Sequence, residues 1–159
     1  HEKAIYNHLL RMTGNPSDAM DVMQDVFLSV YRNLPNYRGE GVFPAWVMRA
    51  ASNRAIDSLR SRARRPEQSL EDEHSVHQNL SGGQEPNKSL NQTRERESLL
   101  SLLATLPAEL RLVIELKFFQ QYTFEEVAQH IGIPSATAKT RYYRALQELR
   151  QSEELQHVI

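Results

Sequence analysis

The stretch TFEEVAQHIGIPSATAKTRYYRAL, residues 123–146, decides how the second half of the chain folds. It opens with a capping box, because the Thr123 hydroxyl can accept from the Glu126 amide while the Glu126 side chain accepts from the Thr123 amide. Apolar residues then follow at helical spacing, at Val127, Ala128 and Ile131. Gly132 suits the left-handed backbone that ends many helices. The pattern predicts a short helix over 124–131.

A second helix is predicted after a turn at 132–134. Ser135 can cap this helix, which we expect to run to about Arg150. Its apolar face carries Ala138, Tyr142, Ala145, Leu146 and Leu149. A short helix, a tight turn and a longer helix with a basic outer face form a helix-turn-helix, the motif that places its second helix in the major groove of DNA.

The basic face of this second helix is the candidate DNA-reading surface. The small Ala128 allows the two helices to cross closely, and a helix N-terminus favours phosphate. We expect phosphate and base contacts from Ser135, Thr137, Lys139, Thr140, Arg141 and Arg144. The alternative is an ordinary two-helix corner with a solvated charged face. The capping box, Ala128, Gly132 and the one-sided charge together favour DNA.

Charge is unevenly distributed along the chain, although the whole sequence has 19 Lys and Arg against 20 Asp and Glu, a formal charge of −1. Residues 38–65 carry a net charge of +5 and residues 134–150 carry +3, whereas residues 66–98 carry −4. Two basic segments are therefore separated by an acidic one. The near-neutral total does not exclude a nucleic-acid partner.

Composition limits the classes of protein to which the chain can belong. At 159 residues, 40% hydrophobic and 25% charged, it is typical of globular proteins. The absence of cysteine excludes disulfides, thiolate metal sites and a cysteine nucleophile. No apolar run approaches the roughly 18 residues that cross a bilayer, and the first residues show no signal-peptide pattern. We expect a cytoplasmic protein whose first segment is missing, because the sequence begins without Met.

The stretch 66–92 divides the chain into two units. It is rich in Ser, Gln, Asn and Glu and has no aromatic residue, so it cannot bury enough apolar surface to offset the entropy of ordering. We predict an all-α protein with two small helical domains, residues 1–65 and 93–159, joined by a flexible acidic linker at 66–92. The C-terminal domain contains the helix-turn-helix.

The first unit is expected to contain two further helices. Asn15 can cap the first, with Pro16 at its first helical position, and Pro35 ends it. Its apolar stripe consists of Ala19, Val22, Met23, Val26, Phe27, Val30, Tyr31 and Leu34. The second helix spans 43–65, where Trp46 fits a core position better than a platform for unstacked bases. In the second unit, the apolar positions before the helix-turn-helix are Leu99, Leu100, Leu102, Leu103, Leu106, Leu110, Val113, Ile114 and Phe118.

Six short motifs carry a family resemblance. They are DVMQDVF at 21–27, FPAW at 43–46, AASN at 50–53 followed by Asp57 and Arg60, LP at 106–107, TFEEVA at 123–128 and KTRYYRA at 139–145. Each motif is weakly specific alone, but the ordered set resembles bacterial sigma factors of the extracytoplasmic-function (ECF) group of the sigma-70 family. That group keeps the second and fourth conserved sigma regions. The resemblance implies a non-enzymatic transcription initiation factor that needs no cofactor.

The resemblance also implies roles for particular residues. The helix 18–34 would dock on the largest RNA polymerase subunit through Asp21, Gln24, Asp25, Tyr31 and Arg32. Residues 43–65 would recognise and open the minus-ten promoter element, and Asn53 falls at the position of an asparagine-bearing loop that captures a flipped-out base. The strand backbone would be held by Arg49, Arg54, Arg60, Arg62 and Arg64. The helix-turn-helix would read the minus-thirty-five element.

The implied partners are core RNA polymerase, promoter DNA and an anti-sigma factor, with no membrane insertion of the chain itself. One departure from the family pattern concerns the recognition helix. Where the family often has Gly-Thr-Val, this chain has Ala136, Thr137 and Ala138. Because Ala138 fills less space than Val, the helix is expected to sit slightly differently.

Two other functions fit parts of the sequence. A conventional helix-turn-helix regulator, with a sensor or dimerisation domain in place of a sigma region, would bind duplex DNA by itself. A metal-dependent hydrolase would use His74 and His77 with the carboxylates at 71–73. A solvated acidic linker explains the same histidines, and its composition favours that interpretation.

Overall fold

The computed structural model describes residues 2–37, 39, 43–64 and 90–158, with side chains described as far as residue 153. All regular structure in these ranges is helical, as predicted. The first unit contains α1 (Glu2–Thr13), α2 (Pro16–Asn33), a 3-10 turn (Leu34–Asn36) and α3 (Phe43–Arg64). The second unit contains α4 (Leu90–Ala104), α5 (Ala108–Ile114), a π-helical extension (Glu115–Phe119), α6 (Phe124–Ile131) and α7 (Ser135–Val158).

The predicted flexible linker lies almost entirely outside the described residues. The part that is described, residues 90–92, belongs to the first turn of α4. The linker therefore ends earlier than predicted. The polar composition of this segment did not reveal the helix, because α4 is exposed throughout its first ten residues, 90–99, and has no apolar stripe there.

The first of the predicted helix starts is confirmed at α2. The Asn15 side chain accepts a 2.9 Å hydrogen bond from the Asp18 amide, and Pro16 occupies the first helical turn. This satisfies one of the amides that a helix N-terminus leaves without an intrahelical partner. The helix begins two residues earlier than the 18–34 range inferred from the resemblance.

The capping box of α6 is also confirmed. The Glu126 amide donates to the Thr123 hydroxyl at 3.1 Å, and the Thr123 amide donates to the Glu126 carboxylate at 3.0 Å. Hydrogen bonding of the Glu126 carboxylate by the backbone and side chain of Thr123 holds the pKa of Glu126 below its ordinary value. Gly132 ends the helix with a left-handed φ of 85°.

The start of α7 differs from the prediction. The Pro134 carbonyl accepts a 3.0 Å hydrogen bond from the Ala138 amide, which makes Ser135 the first helical residue rather than the cap. The helix also continues to Val158, beyond the expected end near Arg150. No proline or glycine follows Arg150 to stop it.

One large apolar core joins the two units. Residues of α1, α2 and α3 form most of it, and the second unit contributes Leu112, Val113, Leu116, Val127, Ala128 and Ala138. A smaller core within the second unit holds Leu103, Leu106, Leu110, Ile114 and Ala145. The two units therefore pack directly against each other.

The segment 108–119, which we call the central segment, lies between the two cores. Its residues 110–116 are all buried, whereas a surface helix would show a solvent-facing stripe. Leu110 and Ile114 pack into the smaller core, and Val113 and Leu116 pack into the larger one. The central segment therefore connects the two cores.

Three residues of the predicted stripes in the second unit are exposed. Phe118 is 63% exposed, and Phe119 packs against the smaller core in its place. The π-helical turn causes this exchange of Phe118 for Phe119. In this turn the Gln120 amide donates to the Glu115 carbonyl, and the one extra residue rotates the following side chains by about 100°. Leu99 lies in the exposed part of α4, and Leu146 lies at the edge of the buried stripe of α7.

The central segment allows a direct test of the shared core. Replacing the fully buried Leu116 by Ala is expected to lower the free energy of unfolding by about 2–5 kcal/mol, because transfer free energy is lost and a cavity remains. The measurement is urea unfolding followed by circular dichroism. Phe118→Ala, an exposed aromatic in the same segment, is the matched control and should cost about 1 kcal/mol or less. Equal effects of both variants would contradict this account of the core.

Candidate nucleic-acid interface

The second unit contains the predicted helix-turn-helix. Val127 and Ala128 of α6 and Ala138 of α7 are all buried in the larger core. Small side chains at Ala128 and Ala138 permit the two helices to approach closely, as the sequence suggested. The turn between them consists of Gly132, Ile133 and Pro134. Gly132 adopts a positive φ, which a residue without a Cβ can do at no steric cost.

The predicted minus-thirty-five residues lie on the outer side of α7, over its first three turns. Ser135, Lys139, Thr140 and Arg144 are exposed. Thr137 and Arg141 are half-buried. The Thr140 hydroxyl donates to the Ala136 carbonyl at 2.9 Å, and Arg144 Nε lies 3.5 Å from a Glu148 carboxylate oxygen. An exposed pair of this kind is weak. The basic face is thus available to a ligand.

An aromatic cluster supports the base of the helix-turn-helix. The ring of Phe124 lies 5.7 Å from that of Tyr142 and 6.5 Å from that of Tyr143. The Lys117 ammonium sits 4.6 Å from the centre of the Phe124 ring, in a cation–π contact. These contacts connect α6, α7 and the central segment, and they fix the direction in which α7 projects.

The predicted minus-ten residues all lie on α3. Arg49, Asn53, Arg54, Arg60 and Arg64 are exposed, and Arg62 is half-buried. Asn53 lies in the middle of this 22-residue helix, not in the loop that the resemblance suggested. The α-helical spacing is unbroken from the FPAW motif to Arg64, and this continuity keeps Asn53 in the helix.

Asn53 faces an open cleft of about 320 Å³ between α2 and α3. Its lining residues are Ser29, Val30, Asn33, Asn36, Trp46, Arg49, Ala50 and Asn53. Three side-chain amides, one guanidinium and one indole thus surround the same space. The sequence analysis missed Asn33 and Asn36; their separation of three residues across the end of α2 was the available signal.

Trp46 is neither fully buried nor an isolated platform. It is half-buried, with its ring 5.0 Å from that of Tyr37 and 5.8 Å from that of Phe43. The prediction of a core position is therefore correct only for part of the side chain. The remaining part lines the cleft.

Three of the predicted minus-ten arginines contact residues of other helices. Arg49 donates to the Gln129 carbonyl of α6 at 3.2 Å, and Arg60 forms a 2.8 Å ion pair with Glu109 of the central segment. Arg62 pairs with Asp18 of α2. Two of these contacts cross from the first unit to the second. The minus-ten surface of α3 therefore takes part in the packing of the two units.

A third surface lies on α2. The predicted polymerase-binding residues are all exposed: Asp21, Gln24, Asp25, Tyr31 and Arg32. Phe27, Tyr31 and Leu34, expected in the buried stripe, are exposed as well, together with Met20 and Leu28. The fully buried residues of α2 end at Val26, and Val30, one turn later, is half-buried against the larger core. The result is an exposed apolar surface beside acidic residues.

Within the described residues, no group of His, Cys, Asp or Glu side chains is arranged to hold a metal ion. His74 and His77 lie outside those residues. No described helix is both long and apolar enough to span a membrane.

Two family models match the chain, and they correspond to the two helical units. Sigma-70 region 2 matches residues 1–65, and sigma-70 region 4 matches residues 96–149. Together they cover all three surfaces described above.

Curated relatives agree with these matches. The ECF RNA polymerase sigma-E factor of Escherichia coli K12 is 31% identical over 80% of this chain and 70% of its own length. The RNA polymerase sigma-H factor of Pseudomonas aeruginosa is 27% identical over 91% of this chain and 78% of its own length. The ECF sigma factor SigE of Mycolicibacterium smegmatis is 28% identical over 94% of this chain, which spans 57% of that relative.

Two solved structures share the fold. The sigma factor RpoE from Bartonella quintana, determined with the anti-sigma factor NepR, has a TM-score of 0.68 and 20% identity, over 94% of this chain and 89% of RpoE. CnrH, determined with the cytosolic domain of CnrY, has a TM-score of 0.67 and 21% identity, over 98% of this chain and 83% of CnrH. The motifs, the two family matches and the 31%-identical relative show that the chain belongs to the ECF group of the sigma-70 family, whose members are non-enzymatic transcription initiation factors.

Proposed function

We propose that this chain binds core RNA polymerase and directs it to specific promoters, with residues 1–65 acting as region 2 and residues 93–159 as region 4. The observation that carries the proposal is the presence of two different nucleic-acid surfaces on two helical units. One is the cleft of α3, lined by amides, an arginine and an indole. The other is the exposed basic face of α7.

The α2 surface is the proposed docking site for polymerase. Its exposed apolar side chains, with Tyr31 the most exposed at 78%, would be buried in an interface, since aromatic anchors supply much of the energy of protein contacts. The neighbouring Asp21 and Asp25 supply charge that selects a basic partner surface.

The α3 cleft is the proposed site for a flipped-out base of the minus-ten element. Bases extruded from a duplex are held by stacking and by hydrogen bonds to their Watson–Crick edges. Here Trp46 offers the stacking surface, and Asn33, Asn36 and Asn53 offer amide donors and acceptors. The arginines along α3 would hold the phosphates of the melted strand.

The α7 face is the proposed reader of the minus-thirty-five element. Its exposed cationic and hydroxyl side chains lie over the first three turns of the helix, the part that enters the major groove in helix-turn-helix proteins. Lys139 and Arg144 are long enough to reach base edges or phosphates, and Ser135 lies at the N-terminus, where amides favour a phosphate.

A conventional helix-turn-helix regulator is not favoured. Its first unit would be a sensor or dimerisation domain, whereas residues 1–65 match sigma-70 region 2. The family of the chain is non-enzymatic, which leaves no support for a hydrolase that uses His74 and His77.

An anti-sigma partner is part of the proposal, as is action in the cytoplasm, where core polymerase acts. The similar RpoE was determined with the anti-sigma factor NepR, and the exposed apolar surface of α2 offers an area that such a partner would cover. Gel filtration of an extract from the native cell tests this partner. An anti-sigma factor would place the protein in a stoichiometric complex that lacks core polymerase.

Reconstitution with core polymerase tests the function, and Tyr31→Ala sharpens the test. The unaltered chain should form a complex with core and support run-off transcription from promoters mapped after overexpression. Tyr31→Ala should weaken core binding about tenfold or more, as expected for an aromatic anchor. Leu90→Ala, with a side chain 77% exposed on α4, is the matched control and should bind core normally. Failure of the unaltered chain to bind core would end the proposal.

Asn53→Ala tests the cleft. Core binding should be unchanged, while the rate of promoter opening should fall about tenfold, because one or two hydrogen bonds to the extruded base are lost. Opening is followed by the fluorescence of 2-aminopurine in the minus-ten element. Asn91→Ala, an exposed asparagine of α4, should leave the rate unchanged. A normal opening rate in Asn53→Ala would show that Asn53 does not hold the flipped-out base of the minus-ten element.

Arg144→Ala tests the recognition helix. Promoter binding by the reconstituted holoenzyme should weaken by about tenfold, and discrimination at one base position of the minus-thirty-five element should relax. Electrophoretic mobility shifts with a set of single-base promoter variants provide the measurement. Arg150→Ala, an exposed arginine farther along the same helix, controls for the loss of charge. Equal losses in both variants would show that Arg144 contributes charge only.

A further inference from the structure

The interface between the two units has a polar centre. His8 of α1 and Ser52 of α3 are almost fully buried in the first unit, and Glu115 and His130 are buried opposite them in the second. Ser52 Oγ lies 3.2 Å from His8 Nε2 and 3.0 Å from His130 Nε2. The contact of Ser52 with His8 lies within the first unit, whereas the contact of Ser52 with His130 crosses between the units and exists only when the two units are packed together.

Glu115 is the most highly connected residue of this centre. Its carboxylate accepts two hydrogen bonds of 2.7 Å from the Arg11 guanidinium of α1, and His8 Nδ1 lies 3.1 Å away. Gln120 donates a further hydrogen bond of 3.1 Å from within the second unit. Burial alone would raise the pKa of Glu115, but the hydrogen bonds from Arg11 and the adjacent His8 ring hold this pKa below its ordinary value. The carboxylate is therefore charged in the closed arrangement.

Arg111, one helical turn before Glu115, forms a second connection. Its buried guanidinium donates to the Met12 carbonyl at the end of α1, and also to the Ala104 and Leu106 carbonyls at 3.3 and 2.8 Å. The ends of α1 and α4 each present carbonyls without intrahelical partners, and a cation is favoured there. One side chain of the central segment thus joins the ends of two helices from different units.

The closed arrangement brings the two DNA surfaces too near each other for one promoter. Arg49 contacts Gln129, and Ser135 follows Gln129 by six residues, which places the start of α7 within about 35 Å of Arg49. The centres of a minus-ten and a minus-thirty-five element are separated by about 85 Å at 3.4 Å per base pair. DNA is too stiff to fold back over this distance. The closed chain therefore cannot engage both elements together.

We propose that the central segment is an interdomain clasp, in which Glu115, held by Arg11 and His8, keeps the chain in a closed state that cannot contact both promoter elements. The clasp rests on the proposed function in one respect, which is that the α3 cleft and the basic face of α7 must bind two elements of the same promoter. When the clasp opens, its polar groups regain water, which offsets part of the cost of exposing the apolar residues of the shared core. The segment 65–89 has a covalent reach of up to about 85 Å, which permits separation.

The clasp also has a defined response to pH through His130. This ring is surrounded by Ser52 and Arg49 of α3, His8 of α1, and the Tyr122 ring at 5.7 Å. Burial, with the charges of Arg49 and His8, lowers the pKa of His130 from 6.5 to about 4. In the open state the ring would regain its ordinary value. Protons therefore bind the open state better, and the closed state loses stability as the pH falls from 6.5 towards 4.

Distance measurements between two spin labels test the clasp. The chain has no cysteine, so Ser61→Cys and Ala108→Cys provide unique label sites on the two sides of the interface, next to the contact of Arg60 with Glu109, which both variants keep. The chain with these two labelled cysteines and no other change, the background variant, should show one short distance between the labels. Adding Glu115→Gln to it should raise the ratio of open to closed molecules at least tenfold. Glu97→Gln, on the exposed part of α4, is the matched control and should stay closed.

The outcomes separate the clasp from a folding defect and from the proposed function. If Glu115→Gln loses helicity, the same distance measurement is made on Arg11→Gln, which removes the guanidinium that pairs with Glu115. This variant should also raise the ratio of open to closed molecules. A closed distribution in the folded Glu115→Gln variant, or an open one in the background variant, would overturn the clasp. Failure to bind core polymerase would overturn the proposed function and leave the distances as the test of the clasp.

A pH series on the same labelled protein tests the role of His130. The ratio of open to closed molecules should rise about fivefold between pH 6.5 and pH 5.5. His130→Gln, whose amide can still reach Ser52, should remove this rise. A flat profile in the background variant, or an equal rise in His130→Gln, would remove His130 from the clasp.

Discussion

The packing of the two units depends on one constraint, the burial of residues 110–116 of the central segment on every face. A helix in this position has no solvent side on which to place polar residues, yet it carries Arg111 and Glu115. A buried charge without a partner costs several kcal/mol. Each charge is matched in part from the other unit, by the Met12 carbonyl and the Arg11 guanidinium. These pairings fix how the two units are oriented.

The same constraint couples packing to DNA recognition. The residues of α3 that face the second unit include Arg49 and Arg60, which the family resemblance assigns to the minus-ten strand. In the closed state they contact Gln129 and Glu109, so an arginine cannot serve both purposes at once. Packing of the two units and strand binding are therefore alternatives for α3, and an interface with a polar centre allows exchange between them.

The sequence was sufficient where local chemistry decides the structure. The Asn15 cap, the capping box at Thr123 and the Gly132 helix end depend on neighbouring residues, and the structure confirms them. Contacts over about a hundred residues, such as Arg11 with Glu115, leave no periodic signal. Nor could periodicity anticipate the π-helical turn that exchanges Phe118 for Phe119 in the smaller core. The candidate DNA residues came from motif order, and their partners came only from the fold.

The near-neutral charge of the chain acquires a physical meaning in the closed state. Three predicted minus-ten arginines already contact carbonyl or carboxylate groups of other helices, and such contacts compete with the phosphate contacts that supply most nucleic-acid affinity. Opening would release Arg49 and Arg60 from the second unit and raise the affinity of α3 for a strand. By linkage, a strand bound there favours the open state by the same factor. Promoter DNA would then help to hold open the conformation that reads it.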